Sequence, residues 1–149
     1  MQRVKDFVEH FLDLEAKIRE ENHKTYFAES TQALDTYNDT LDKFHACLIP
    51  SMKNHQGYLP RTELETNPMV LDMMRKQGSL EANPRHFFKL TQYHHNKHGA
   101  VWVAYVSGRN PHLDYKPLGY CFIIVERKGA LKIAKEMVYS DHEWEELHG

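Results

Sequence analysis

The sequence predicts an α+β domain in which helices from the amino-terminal half cover an antiparallel sheet built from the last third of the chain. Two observations carry this expectation. Residues 86–139 read as four successive strands joined by three turns, a meander. Almost everything before residue 86 shows either the three-to-four-residue apolar spacing of amphipathic helices or the proline, glycine and polar content of loops.

The helices come first. Val4, Phe7, Val8, Phe11, Leu14 and Ile18 recur at helical spacing, so residues 2–21 are expected to form an amphipathic helix. Leu34, Tyr37, Leu41, Phe44 and Leu48 repeat the pattern, in a helix starting between Ser30 and Asp35 and ended by Pro50. Residues 51–64 contain Gly57 and Pro60 and are read as a short hairpin or a loop. Asn67-Pro68 supplies a cap and a first-turn proline for a third helix. Met69, Val70, Met73 and Met74 lie on one side of it, with the methionines expected in the core, and Gly78 is its stop.

The strands follow. Residues 86–95 (HFFKLTQYHH) are rich in aromatic and β-favouring side chains, and Gly99 closes a turn-forming cluster after them. Residues 100–107 (AVWVAYVS) form the second strand, and residues 108–117 a polar loop with two prolines. Residues 118–127 (LGYCFIIVER) and 130–139 (ALKIAKEMVY) are the closing pair, joined by the tight turn Lys128-Gly129. Ser140 and Glu143 have the spacing of a capping box, so a last helical turn is expected there.

The two-residue turn sets a register, because side chains alternate faces along a strand. One face then carries Tyr120, Phe122 and Ile124 beside Leu131, Ile133, Lys135, Met137 and Tyr139, and is expected to meet the helices. The other carries Cys121, Ile123 and Val125 beside Lys132, Ala134, Glu136 and Val138. It is too apolar for a fully wet surface. A homodimer through this outer face is therefore expected, with Trp102, Val106, Cys121 and Ile123 near the contact.

At 149 residues the chain is expected to be one domain with a substantial core. Hydrophobic residues make up 41 %, which excludes a wholly disordered protein. A net charge of -2 and a pI near 6.6 leave no electrostatic footprint for nucleic acid. No apolar run is long enough to span a bilayer, and the charged start lacks the apolar core of a signal peptide. Cys47 and Cys121 are isolated and expected to be reduced, which suggests the cytoplasm.

The closing pair LGYCFIIVER and ALKIAKEMVY, the segment AVWVAYVSG with its tryptophan, and the order of helices before a meander together resemble the nuclear transport factor 2-like superfamily, the cystatin-like α+β cone. The resemblance covers most of the chain, residues 4–139. It implies three helices packed on the concave face of a curved sheet, a cone with a pocket between them. The superfamily hosts isomerases, dehydratases, polyketide cyclases, dioxygenase small subunits, transport adaptors and toxin immunity proteins, and fold does not choose among these.

The chain departs from the catalytic patterns. The first helix has no tyrosine, the inner face expected for the closing strands has no aspartate, and no inward His/Asp pair is assignable. His86, His94, His95 and His98 lie close in sequence, but His94 and His95 point to opposite faces of a strand and no carboxylate stands at ligand spacing, so no metal is expected. No cofactor motif is present. His45 and Cys47 are two apart on a helix and do not face one another.

The residues expected to line the pocket are Tyr37, Phe44, Met73, Tyr105, Tyr120, Phe122, Lys135 and Tyr139. Mostly apolar walls with a few polar tips suit a small apolar or aromatic ligand, and Lys135 would favour an acidic group on it. Lys135 also has a plainer account, as a rim lysine or as the mark of a bulge that shifts the register. Three functions follow: a dimeric small-molecule-binding domain, a small isomerase, dehydratase or cyclase working by proton transfer, and an interaction protein such as a toxin immunity protein.

Overall fold

The computed structural model of the chain describes residues 2–53, 57–77, 85–96, 99–110 and 116–139. Its elements run α1 (Gln2–Thr25), α2 (Gln32–Ala46), α3 (Pro50–Lys53), α4 (Pro68–Gln77), β1 (His86–Asn96), β2 (Gly99–Asn110), β3 (Lys116–Arg127) and β4 (Ala130–Tyr139). The sheet is an antiparallel meander in the order β1-β2-β3-β4, open and curved, with helices against one face. The α+β class and the meander are as the sequence predicts.

The core forms where the stripe of α1 meets the inner face of the sheet. Val4, Val8, Phe11, Leu14 and Ile18 are all buried. Phe11 stacks on Phe44 of α2 at 5.1 Å and meets the Phe122 ring edge-on at 5.4 Å. Aromatic pairs of this kind add about 0.5–1.5 kcal/mol beyond area burial. Met52 of α3 joins the same cluster, while Met74 of α4 is buried outside it. Met69 and Met73 are exposed, which corrects the expectation that the methionines of α4 form core. Only one side of that short helix, through Met74, reaches cover.

Pro50 does not end α2. That helix closes at Ala46, and Pro50 opens α3, where its missing N–H costs nothing. Of the hairpin or loop expected over residues 51–64, residues 51–53 lie in α3 and the described residues 57–64 contain no strand. The latter segment docks on α2: Tyr37 Oη donates to the Leu59 carbonyl at 2.9 Å, and Asn38 and Arg61 exchange hydrogen bonds of 2.7 and 3.0 Å. Gly108 lies inside β2, not at the start of a loop, and β3 begins at Lys116. Gly78, the turn residues 97–98 and the capping-box residues 140 and 143 lie outside the described residues.

The turn at Lys128-Gly129 has positive φ at both residues, 53° and 78°, the hairpin geometry that matches strand twist. The register it sets holds only as far as Ile133. Ile124 pairs with Ile133, but Ile123 pairs with Lys135, so Ala134 is an extra residue and β4 is bulged. Beyond the bulge, Glu136 pairs with Phe122 and Val138 with Tyr120 on the inner side, while Lys135 and Met137 pair with Ile123 and Cys121 on the outer side. Lys135 and Met137 were expected inside and are exposed outside. Glu136 was expected outside and stands inside. The Tyr139 backbone pairs with Gly119, and its side chain lies outside the described residues.

Strand β2 also turns over relative to expectation. Trp102, Ala104 and Val106 pair with Ile124, Phe122 and Tyr120 and are buried in the core. Trp102 and Val106 are thus removed from the outer contact proposed for them. Val101, Val103 and Tyr105 take the outer face beside Val125, Ile123 and Cys121. Two further irregularities, at Phe88 and Tyr93, bend β1.

The outer edge of β4 is covered by main chain. Ile49 N–H donates to the Ile133 carbonyl at 3.0 Å, and Ile133 N–H donates to the Cys47 carbonyl at 2.7 Å, a one-residue parallel bridge between Leu48 and Ile133. Lys132 reaches the Ala46 carbonyl beside it. The link between α2 and α3 therefore acts as a short fifth rung.

The bulge makes a specific forecast. Lys135→Glu should change unfolding stability by no more than about 0.5 kcal/mol, as for an exposed site. Glu136→Lys should cost about 3 kcal/mol or more, because it sets a cation against a buried arginine. Urea denaturation of the two variants checks this, and the opposite ranking would mean that β4 is not bulged.

Candidate functional site

Of the residues expected to line one pocket, Tyr37, Phe44 and Phe122 share the buried core cluster with Tyr120 packed against it, Met73, Tyr105 and Lys135 lie elsewhere, and the side chain of Tyr139 lies outside the described residues. Tyr37, Phe44 and Phe122 are buried in the core, and Phe44 packs on Phe11 and meets Tyr58 edge-on at 6.1 Å. Burial pushes the Tyr37 hydroxyl up to about 12, against the opposing charge of Arg61, so it acts as a donor to Leu59 and not as an acid. Met73 is exposed on α4, and Tyr105 and Lys135 lie on the far side of the sheet. Tyr120 is on the inner face, but its ring is covered by an arginine.

That arginine is the residue sequence reasoning missed. Arg85 immediately precedes β1, and its side chain is 7 % exposed. It enters between α1 and the sheet. Its Nε donates to Glu15 Oε1 at 2.7 Å, Nη2 donates to Glu15 Oε2, and Nη1 donates to Glu136 Oε1. The guanidinium lies over the Tyr120 ring at 4.4 Å and over Phe122 at 4.9 Å. Arg19 stands 3.4 Å from Glu15 across one helical turn. Two cations and two carboxylates thus form a cluster without net charge.

Burial alone would weaken the charge of Arg85, but Glu15 and Glu136 more than offset it, and its pKa is raised above the ordinary guanidinium range. Burial likewise raises the Tyr120 hydroxyl, with Arg85 opposing. The fork-to-fork pairing with Glu15 fixes the guanidinium plane. Gly108 makes the approach feasible: a Cβ there would stand 3.0 Å from Arg85 Cγ and 3.3 Å from Tyr120 Cε2. The signal in the sequence was Glu15, a carboxylate on the Phe11–Ile18 stripe of α1 where an apolar residue belongs.

Arg85 reaches the surface at a cleft of about 310 Å³ lined by Glu9, Leu12, Asp13, Arg85, His86 and Phe87. Its walls are mostly polar. Glu9 pairs with Lys5 at 3.8 Å, and the Lys5 amine also lies over the Phe87 ring at 5.6 Å. With every nitrogen of Arg85 committed to a carboxylate, the cluster ties β1 and β4 to α1. It presents no acid and base poised against one another. Among the described residues, no group of three or more His, Cys, Asp or Glu side chains is placed to hold a metal ion. His98 and the side chains of His94 and His95 lie outside them.

His45 and Cys47 do not form a thiol–imidazole pair. Cys47 Sγ donates to the Lys43 carbonyl at 3.6 Å, and burial raises its pKa against the pull of Lys132. Burial, then the nearby Lys53, lowers the His45 pKa, and its Nε2 is buried without a hydrogen-bond partner among the described residues.

The outer face of the sheet differs in kind. Val101, Val103, Tyr105, Ile123 and Val125 are half-buried, and Met137 is 37 % exposed. The first five run along the two central strands as one apolar ribbon, and Met137 lies beside them on β4. Comparisons with models of known protein families, with curated proteins and with solved structures find no match to this chain.

Two outcomes follow from the buried groups. Arg85→Met should destabilise the fold by about 3–5 kcal/mol, since it leaves two carboxylates without their cation, and the triple variant Glu15→Leu, Arg85→Met, Glu136→Val should recover most of that loss. Urea denaturation of both proteins measures it. For His45, the folded state disfavours the protonated imidazole, so the unfolded chain binds the proton first. Its contribution is full above about pH 6.5 and falls as pH drops toward the lower folded pKa. Stability should therefore decline less between about pH 7.5 and 5.5 in His45→Gln than in the parent chain. Equal declines would remove His45 from the pH response.

Proposed function

We propose that this chain is a protein-interaction domain whose working surface is the outer face of its sheet. One observation carries the reading: the helices that bury apolar surface do so on the inner face, while the apolar ribbon of β2 and β3 stays half-exposed on the other. An antiparallel sheet that faces water alternates apolar with polar residues. Here Val101, Val103, Ile123 and Val125 stand where polar residues would. A contiguous patch of this kind on a folded domain marks a contact site.

The small-molecule reading draws less support. Three of its eight expected pocket residues are packed into the core, and the cleft beside Arg85 is polar. Among the described residues, the cluster around Arg85 offers the enzymatic reading no converging acid and base. The architectural resemblance to the nuclear transport factor 2-like superfamily is supported by helices followed by a curved four-stranded meander, and interaction proteins are among the functions it implies. Among the described residues no helix is long and apolar enough to cross a membrane. Cys47 and Cys121 are both buried and unbridged, which suits a reducing compartment such as the cytoplasm.

A homodimer through the same face is the second reading. The ribbon favours it, because a two-fold contact lays the same apolar patch of each copy against the other. Of the four residues expected at that contact, Ile123 lies half-buried on the outer face, Cys121 lies on that face but is buried within the chain, and Val103 would stand in place of Trp102.

The test is chemical footprinting. Val103→Cys and Ile123→Cys should fold normally and react with a maleimide in dilute purified protein, but be shielded by at least about tenfold in a concentrated native extract. Shielding that appears in purified protein as its concentration rises, without extract, identifies the homodimer. Equal labelling under all three conditions would end the interaction reading.

A further inference from the structure

The charges around the outer face say more about its occupant. Three rungs cross this face: Lys89–Tyr105–Cys121–Met137, then Thr91–Val103–Ile123–Lys135, then Val101–Val125–Lys132. The centre of each rung is apolar. Lys89 stands at the β1 edge, and Lys135 and Lys132 stand at the β4 edge. Arg127 closes the lower end of β3 on the same side of the register. Lys89, Arg127 and Lys135 are exposed, and none has a carboxylate partner among the described residues.

The acids of the neighbouring positions point away. Glu126 pairs with Arg3 at 2.9 Å, and Glu136 is taken up by Arg85 on the inner side. No Asp or Glu side chain among the described residues lies on the outer face. This is a local reversal, since the whole chain has 21 acidic and 19 basic residues. The face is an apolar ribbon bounded on both long sides by cations in a chain that is otherwise slightly acidic.

A second copy does not match this pattern. Two such faces laid together put lysine edges against lysine edges across a sheet spacing of about 10 Å, and like charges facing one another disfavour a contact. A partner with an apolar centre and acidic margins satisfies both parts at once. Resting on the reading that this face is the working surface, we infer that its occupant is an acidic, amphipathic protein segment of another chain, seated on Val103 and Ile123 and held between Lys89 and Lys135.

The experiment uses the full chain and defined probes. The first probe is a synthetic amphipathic helix of about 16 residues, with leucines on one face and glutamates along both flanks. The second carries lysines in place of the glutamates. The third is a vesicle of anionic lipid, and the fourth a single-stranded oligothymidine. Fluorescence anisotropy or flotation reports binding, and sedimentation velocity reports self-association.

The acidic helix should bind, weaken by about tenfold or more in Lys89→Glu/Lys135→Glu, and lose affinity between about 50 and 200 mM salt. Ile123→Glu should abolish binding while leaving the fold intact by circular dichroism. Equal binding of the lysine helix would overturn the charge assignment and leave the interaction surface standing. Preference for the vesicle or the oligonucleotide would overturn the protein partner. A stable dimer dissociated by Ile123→Glu, with no peptide bound, would overturn the acidic occupant in favour of a second copy. No binding of any probe by a monomer, with Ile123→Cys equally labelled in buffer and extract, would overturn this inference and the interaction reading together.

Discussion

One extra residue in β4 organises both faces of the sheet. Ala134 interrupts the alternation that the hairpin establishes, and everything beyond it changes sides. Glu136 turns inward, where it becomes the second carboxylate for Arg85. Lys135 turns outward, where it borders the apolar ribbon. Without the bulge, Lys135 would stand opposite Phe122 and face an arginine in a low-dielectric interior, and the carboxylate of Glu136 would stand opposite Cys121 on the outer side. Neither the ion cluster nor the basic margin survives that exchange. The register shift is local, but its effect is carried by charge, which is far less tolerant of position than apolar packing.

The Arg85 cluster is not a large source of stability in its own right. Removing a guanidinium and two carboxylates from water is costly, and their mutual attraction repays this only with close geometry. What the cluster supplies is definition. An apolar interior of Phe11, Phe44, Phe122 and their neighbours can slide; a two-pronged pairing of Arg85 with Glu15, sandwiched on Tyr120 and Phe122, cannot do so without loss. It locks the start of β1 and the end of β4 onto one helix. We regard this positioning as the role the geometry of the cluster supports.

The legibility of this chain varied with the source of each constraint. Elements written in local pattern were readable: the stripe of α1, the positive-φ turn at Lys128-Gly129 and the meander all follow from short-range rules. The faces were harder. Strand β2 is apolar on both sides, so alternation could not say whether Trp102 or Val103 points to the core, and only the helices decide it. Lys135 and Glu136 are adjacent, and their sides are set by Arg85, which lies far away in sequence. Of the site residues, Tyr37, Phe44 and Phe122 were correctly read as inward. Their packing into one another is a matter of three-dimensional volume that no sequence pattern encodes. Glu15 was a visible anomaly, a charge set between apolar residues of the α1 stripe.

The bridge between Leu48 and Ile133 bears on the order in which the molecule assembles. It is the sole main-chain pairing, among the described residues, that joins the helical half to the sheet. Such a long-range closure is slow to form. Until α2 is docked, the outer edge of β4 presents unpaired N–H and C=O groups, a template for any other extended chain. During synthesis the helices emerge first, so the cover exists before the edge does. A chain whose α2 folds late would expose that edge at the moment the sheet forms, and would be prone to aggregate without any change in the finished structure.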